Sequence, residues 1–400
     1  MARVSQGREG IMLIDKICVR NFKALHDVSI EPGNVNIIIG PNGAGKSTIL
    51  EAIGLLSIAM SERLDDVSLL RKGIRLSTPK MYCSNFKAVA KENSIRIQVE
   101  LQNGCHSYTV SLEPPKGEEG WNFLGESVSG RNNATAVKEI RNDATVFNNS
   151  SSLYLNKDKE YDWFREAASI IGKYAVYQPS TPVLRGVMND YAQIQPLGIN
   201  GGRLAEAIEE ILSEKDGEMF LGTEPLDDIY DLIDWADDFS ISWPNKSNIN
   251  QFVPSARRVI EFHDAYMNKN GKFTAYDASE GALYVLFTLC LLQHPKAPTV
   301  FAIDNFDQAM NPRLARAITK EICRMAVEKN KMVFLTTHNP MTLDGLNLND
   351  SRIRLFTTQR SIRTGDVEIR RVEVNEALLD KNMPLSRLWT SGMIGGVPNI

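Results

Sequence analysis

Hydrophobic and polar positions change rhythm several times along the chain, and each change predicts an element. From Ile14 to Ile39 the apolar stretches IDKICVRNF and VNIII flank HDVSIEPG, which reads as strand, hairpin turn and strand. STILEAIGLLSIAM then places Ile49, Ala52, Ile53 and Leu56 at helical spacing, so strand, glycine-rich turn and helix follow one another directly. Residues 81–112 alternate polar and apolar positions around KEN and QNG turns, the pattern of a small antiparallel sheet. Gly, Asn, Ser and charge dominate 113–160, where an irregular insertion is expected. KYAVYQPSTPVL reads as a strand stopped by two prolines, and RLAEAIEEIL with PLDDIYDLIDWADDF predicts helices with an acidic, solvated face over 200–240. The last third alternates helix and strand through SEGALYVLFTLCLL, APTVFAID, NPRLARAITKEICRMAVEK and KMVFLTTHNP, which implies an α/β layer around a parallel sheet. There is no fixed-period repeat and no sustained heptad pattern, so no long coiled coil is expected.

Composition narrows the class. The 400 residues are 43% hydrophobic and 24% charged, the balance of a soluble globular chain with a sizeable core. With 45 basic and 49 acidic side chains the formal charge is −4, which supplies no overall drive toward nucleic acid or an anionic membrane, so DNA contact would need a local patch. Cys18, Cys83, Cys105, Cys290 and Cys323 form no C-x-x-C pair and no zinc-like set, which fits a reducing cytoplasm. The opening MARVSQGREGI is polar and reads as a flexible lead-in over 1–11, without the apolar stretch of a secretory signal. The longest apolar run, ALYVLFTLCLL at 282–292, is short of the roughly 20 residues a membrane span needs and predicts a buried helix.

Candidate chemistry begins at Gly40-Pro41-Asn42-Gly43-Ala44-Gly45-Lys46-Ser47, followed by Thr48, which satisfies G-x-x-x-x-G-K-[ST]. The glycines let backbone N–H groups turn inward around phosphate oxygens, and the helix that starts near Gly45 adds its positive end. Lys46 can neutralise the β and γ phosphates and the Ser47 hydroxyl can ligate Mg²⁺. A structural glycine turn would not require Lys and Ser after the last Gly. In TVFAIDNFDQAMNP a buried strand delivers Asp304 to its carboxyl tip, where a carboxylate can hold the Mg²⁺ hydration shell. MVFLTTHNP puts His338 at the tip of another buried strand, and DASEGALYVLFTLCLL places Ser279 and Gly281 at the start of a long helix, by itself an ordinary N-cap and a ready anion site.

Phosphate loop, distant S-x-G helix start, apolar strand ending in Asp with an N-P turn after it, then strand-His: this order resembles the ATP-binding cassette (ABC) ATPases. More narrowly it resembles the branch with SMC proteins, RecF, OLD-type ATPases and the stand-alone AAA_21/AAA_15 ATP-binding proteins, many of which serve bacterial antiphage systems. NFKAL before the loop, GINGGRLAEAI and LSRLWTSGMIGGVPN carry the narrower likeness, which is good over the ATPase head and poor over 113–172. It implies an α/β ABC ATPase head with a P-loop mixed sheet, an antiparallel β subdomain and a helical lobe. The lobes would run 12–178 (with the irregular insertion at 113–172), 179–270 and 271–400. It also implies a homodimer, open to higher assembly, with two ATP molecules and their Mg²⁺ sandwiched between protomers. On that pattern Lys46, Ser47, Asp304 and His338 act in cis, while Ser279 and Gly281 reach the γ-phosphate of the opposite subunit. Gln178 is the candidate for the family's Mg²⁺-touching glutamine, with Gln98 as competitor. Where the family carries glutamate after the aspartate, this chain has Asn305, which can orient water but cannot take a proton. A positioned base contributes roughly 10²–10⁴-fold, so slow hydrolysis and a switch-like use of ATP are expected, unless Asp307 substitutes.

The likeness leaves two functions. One is a cytoplasmic sensor or scaffold ATPase of an antiphage complex whose nuclease or toxin is a separate effector protein, since the sixty-odd residues after His338 leave no room for an OLD-type nuclease domain. The other is a RecF-like DNA-binding repair ATPase, for which Arg313, Arg316, Lys320 and Arg324 on one helical face, and Arg352, Arg354, Arg360, Arg363, Arg370 and Arg371 further on, offer a local basic surface. A transporter subunit is excluded by the long gap from Lys46 to Ser279, and an SMC protein by the absence of coiled-coil arms.

Overall fold

The computed structural model describes residues 14–87, 91–116, 120–130, 149–212, 214–215, 218–219, 232–254, 258–268, 271–373 and 383–397. β1 (Ile14–Phe22) and β2 (Leu25–Ile30) form the expected hairpin, and β3 (Val35–Ile39) runs into the glycine loop, from which α1 (Lys46–Ser61) leads away. A short α2 (Asp66–Arg71), capped by the Asp65 carboxylate, precedes β4 (Ile95–Leu101), β5 (His106–Glu113) and β6 (Asn122–Gly130). Then come α3 (Ser152–Leu155), α4 (Asp162–Ile171), β7 (Val176–Tyr177), α5 (Thr181–Leu184) and α6 (Leu204–Leu212). A small hairpin of β8 (Glu214–Lys215) and β9 (Glu218–Met219) follows, then β10 (Ala236–Ser242), β11 (Val259–Asp264) and β12 (Lys272–Thr274). The last part runs α7 (Glu280–Gln293), β13 (Val300–Ile303), α8 (Pro312–Glu328), β14 (Met332–Thr336), β15 (Ile353–Arg360), β16 (Val367–Arg371) and α9 (Leu385–Thr390).

A six-stranded sheet of order β16-β15-β3-β14-β13-β7 holds the centre, parallel from β15 to β7 with β16 antiparallel at its edge. Its inner strands read as unbroken apolar runs because both faces are covered. Val35, Ile37, Ile39, Phe301, Ile303, Val333 and Leu335 pack on one side against α7 and α8. Ile38, Val300, Ala302, Met332 and Phe334 pack on the other against α1 and the antiparallel sheet β2-β1-β4-β5-β6. α1 and α7 are buried nearly all round, and between Ala282 and Gln293 every residue is buried, as expected of helices enclosed by protein. No helix among the described residues is long and apolar enough to cross a membrane.

Two expectations need correction. The region 113–172 is not an irregular insertion throughout: β6 is the edge strand of the antiparallel sheet, and α4 packs Phe164, Ala167, Ala168 and Ile171 into the core. β6 is polar in sequence because an edge strand has one open side, and because its buried Glu126 accepts hydrogen bonds from the Tyr108 hydroxyl and Ser152. Residues 131–148, the rest of the insertion, lie outside the described residues. Nor is 179–270 simply a helical lobe, since β10, β11 and β12 form an antiparallel three-stranded sheet there. ADDF reads as helical because Ala236 and Phe239 are buried three apart, but a register shift between Ala236 and Asp238 adds a residue and breaks the two-residue rhythm of the strand. The upstream part of that predicted helix, 220–231, lies outside the described residues.

Candidate functional site

The carboxyl ends of β3, β14 and β13 lie side by side, and the loops that leave them face one cleft of about 300 Å³. Residues 42–48 line it together with Ala24, Arg75, Asn305, His338 and Arg360. Gly45 is the N-cap of α1 at φ +84° and brings no side-chain cap, so first-turn amides, which have no acceptor within the helix, are left for an anion. The loop is also pressed against its neighbours. A Cβ at Gly45 would lie 2.5 Å from Val367 Cγ2, and one at Gly40 would lie 2.4 Å from the Thr358 carbonyl oxygen. Ala44 N–H closes the turn by donating to Pro41 O at 3.2 Å, and Asn42 and Gly43 stand exposed at its apex.

Lys46 is buried and donates from Nζ to Gly40 O at 2.8 Å and Pro41 O at 3.1 Å. Burial lowers its pKa to about 8, against the pull of Asp304 in the other direction. Ser47, half-buried, opens the first turn beside buried Thr48.

At the tip of β13, Asp304 N–H donates to Tyr177 O at 2.9 Å, which ties it to β7. Its carboxylate accepts from Thr336 Oγ1, and the same oxygen accepts from Asn305 N–H at 2.8 Å. Thr336, fully buried at the last position of β14, thus orients both residues, a role its place inside FLTTH did not reveal. Asn305 sits at φ +52°, a left-handed conformation that asparagine accepts more readily than other non-glycine residues. Asp307 does not reach the cleft as a stand-in base. It is 5% exposed, and one carboxylate oxygen already accepts from Thr337 Oγ1 and Thr342 Oγ1, both at 2.6 Å. Burial raises its pKa. His338 stands at the mouth of the cleft, where partial desolvation and the nearby Lys46 ammonium push its pKa down and favour the neutral ring.

Ser279 and Gly281 are not brought into this chain's own cleft. Ser279 is exposed at the N-cap of α7, its Oγ accepting from Ala282 N–H at 3.3 Å. A Cβ at Gly281 would meet Ala309 O and Leu314 Cδ2, both at 3.3 Å, so the helix start rests on the segment that follows Asp304. Gln178 follows Tyr177, the residue that holds Asp304 N–H, and donates to Gly73 O at 3.5 Å. Gln98 lies in mid-strand in β4, opposite Cys18 and Thr109, within the other sheet. The structure therefore puts Gln178, and not Gln98, beside the strand that carries Asp304.

The family whose model bears the description "AAA domain, putative AbiEii toxin, Type IV TA system" matches residues 35–344. The chain belongs to this AAA_21 family. It is an ABC-type ATPase of the SMC/RecF/OLD-like branch. An OLD nuclease from Thermus scotoductus is 20% identical over 342 residues, covering 83% of this chain and 60% of that protein. The DNA replication and repair protein RecF of Pseudomonas syringae pv. syringae is 43% identical over 108 residues, 27% of this chain and 25% of RecF. The Rad50 double-strand break repair ATPase of Saccharolobus solfataricus is 38% identical over 77 residues, 19% of this chain and 9% of Rad50. The chain thus spans less than two thirds of the length of each of these relatives. Among solved structures, the SMC head bound to the C-terminal winged-helix domain of ScpA superposes with a TM-score of 0.57 at 14% identity, over 91% of this chain and 99% of that one. An SMC head with coiled coil and joint from Pyrococcus yayanosii gives 0.54 at 10% identity, over 96% and 100%. At such identities the likeness shows the ATPase head fold.

Two cleft residues of this AAA_21 protein carried no sequence signal. Arg75 follows α2 in RKGIRLS, outside any motif, and Arg360 stands in the sequence as one of several C-terminal arginines. Arg360 instead clamps the loop apex, donating from Nε to Gly43 O at 2.9 Å and lying 5.5 Å from the centre of the Phe86 ring. Other members of that basic set are paired: Arg352 with Asp350, Arg370 with Glu368, Arg324 with Glu321 and Glu328. The residues fit a magnesium nucleotide: an uncapped helix start for phosphate, and a hydroxyl and a carboxylate for the ion. Among the described residues no group of three or more His, Cys, Asp or Glu could hold a metal unaided, so Ser47 and Asp304 would share Mg²⁺ with phosphate oxygens and water.

Proposed function

We propose that this chain binds ATP with Mg²⁺ in the cleft, hydrolyses it slowly, and uses it as a switch that joins two copies of the chain. The observation that carries the reading is the meeting of Lys46, Ser47, His338 and the amide Asn305 at one cleft, with Asp304 next to Asn305 at the tip of β13 and tied to it through Thr336 Oγ1. Lys46 would release the Gly40 and Pro41 carbonyls to hold the β and γ phosphates, and Ser47 and Asp304 would hold Mg²⁺ with Gln178 in support. Asn305 would orient the attacking water and His338 would contact the terminal phosphate as a neutral hydrogen-bond donor. Ser279 and Gly281, absent from their own cleft and at an exposed helix start, would complete the site of a second copy. ATP bound only to the paired state stabilises it by about 2.7 kcal/mol per site at 100 times its dissociation constant. Light scattering of the purified protein with a non-cleavable ATP analogue tests this: dimers, or higher assemblies built from them, should form with the analogue and not with ADP. A monomer under both conditions rejects it.

The favoured setting is a cytoplasmic sensor or scaffold subunit of a bacterial antiphage complex with a separate nuclease or toxin as effector. It is supported by the family description, which names a toxin and a Type IV toxin–antitoxin system, and by the likeness to an OLD nuclease. The second reading, a RecF-like DNA repair ATPase, is favoured by the RecF and Rad50 relatives and by exposed Arg313, Arg316 and Lys320 on α8. Affinity for DNA falls steeply with salt when phosphates are contacted. Salt-sensitive DNA binding by the chain alone therefore supports repair, and its absence at low salt with ATP rejects it. Co-purification with the products of neighbouring genes tests the effector reading, which fails if none is retained with or without ATP.

A further inference from the structure

We infer that the C-terminal segment 385–397 is a brace that positions the phosphate loop from behind, with Trp389 and Gly396 as its positioning residues. None of its side chains lines the cleft. α9 is fixed at its start, where the Asp344 carboxylate accepts from Ser386 N–H at 2.9 Å and from Ser386 Oγ at 2.7 Å. Asp344 belongs to the 3₁₀ turn Pro340–Gly345, which begins two residues after His338. Beyond α9 the chain turns through Gly392, Gly395 and Gly396, all at positive φ. Trp389, 6% exposed, donates from Nε1 to Gly396 O at 3.0 Å and so fixes the place of that glycine, while Ile394 and Val397 pack on the core beside it.

Gly396 in turn stands against the loop. A Cβ there would lie 3.3 Å from Thr357 Cβ, 3.4 Å from Thr357 Cγ2 and 3.6 Å from Gly40 Cα. Thr357 is paired with Ile39 in the register of β15 and β3, and the next residue, Thr358, donates from Oγ1 to Ile39 O at 3.1 Å. Gly40 is the residue whose carbonyl accepts from Lys46 Nζ at 2.8 Å. One hydrogen bond and one backbone contact therefore separate Trp389 from the residue that holds Lys46. Core packing alone would be served by an apolar side chain at 396, whereas a glycine at φ +68° brings the backbone itself up to the loop. The loop holds the β-phosphate that ATP and ADP share, so a displaced brace weakens both nucleotides alike.

The inference rests on the ATP reading above, and its test separates the two. Affinities for a non-cleavable ATP analogue and for ADP are measured by calorimetry, well below the melting temperature, for the wild type, Trp389→Phe, Gly396→Ala and Gly395→Ala, with melting temperatures alongside. Trp389→Phe removes the donor to Gly396 O and should weaken both nucleotides about fivefold, the size of one hydrogen bond. Gly396→Ala puts a Cβ against Thr357 and Gly40. Its strain is relieved by moving the loop, and phosphate binding must move the loop back, so both affinities should fall about tenfold. Gly395→Ala brings the same left-handed strain at φ +75°, but its Cβ would come no closer than 3.9 Å to Thr357 Oγ1. It should lower the melting temperature and leave both affinities within about twofold. Unchanged affinities in folded Trp389→Phe and Gly396→Ala overturn the inference and leave the ATP reading standing, as does an equal loss in Gly395→Ala and Gly396→Ala. Should Gly396→Ala not fold, Trp389→Phe decides by itself. A wild type that binds neither nucleotide overturns the ATP reading and this inference together.

Discussion

Restoring the missing carboxylate by Asn305→Glu is the most direct test of why hydrolysis should be slow. The backbone there is already set, because Asn305 N–H is held by Thr336 Oγ1 at 2.8 Å and the residue sits at φ +52°. Glutamate tolerates that conformation less well than asparagine, at a cost of about 1 kcal/mol. With an unfolding entropy near 2.1 cal/mol/K per residue, that corresponds to a melting-temperature loss on the order of 1 °C for a chain of this length. The strain is present in ground and transition states alike and so leaves the barrier untouched. A general base in reach lowers the barrier by about 2.7–5.4 kcal/mol, the equivalent of 10²–10⁴ in rate. Phosphate release by the purified protein should therefore be slow and should rise at least about a hundredfold in Asn305→Glu. The lifetime of the analogue-free, ATP-loaded dimer should shorten in step. Fast wild-type turnover that Asn305→Glu does not raise would refute the reasoning. Asp307→Asn is the control: it keeps the shape of a group already committed to Thr337 and Thr342, so the wild-type rate should not change.

Lys46→Ala should abolish nucleotide binding and nucleotide-dependent assembly, read by calorimetry and light scattering. Because burial lowers the Lys46 pKa to about 8 and phosphate favours its charged form, ATP affinity should hold below that pH and fall above it, by up to about tenfold per unit. Proton uptake on binding near pH 8 checks the sign, and affinity that stays flat through this range would count against Lys46 as the phosphate contact. Thr336→Val leaves the Asn305 N–H without its partner and frees the Asp304 carboxylate, so it should cost about 1–3 kcal/mol in denaturant unfolding and slow hydrolysis as well. Ser279→Ala removes a long cap hydrogen bond of 3.3 Å and should cost only about 0.5–1 kcal/mol of stability, yet weaken ATP-dependent dimerisation more than tenfold. A dimer loss no larger than the stability loss would remove Ser279 from the partner's site.

What the amino-acid order determined by itself is local chemistry with strict spacing. GPNGAGKST requires a particular turn before a helix, the apolar runs before Asp304 and His338 require buried parallel strands, and ALYVLFTLCLL requires a helix enclosed on all sides. Each of these is written in neighbouring residues, because backbone conformation and burial periodicity act over a few positions. Tertiary structure decided whatever depends on residues distant in the chain. Arg75 lines the cleft while hydrogen-bonded to Glu51, 24 residues earlier, and to Lys23, on the β1–β2 turn. Thr336 orients Asp304 across 32 positions because β13 and β14 are neighbours in the sheet. Asp307 looked like a spare base until Thr337 and Thr342 occupied it, and ADDF looked helical until β11 paired with it through a bulge. Hydrogen-bond partners and strand neighbours are chosen in space, after the core has collapsed, and no window of sequence holds that information.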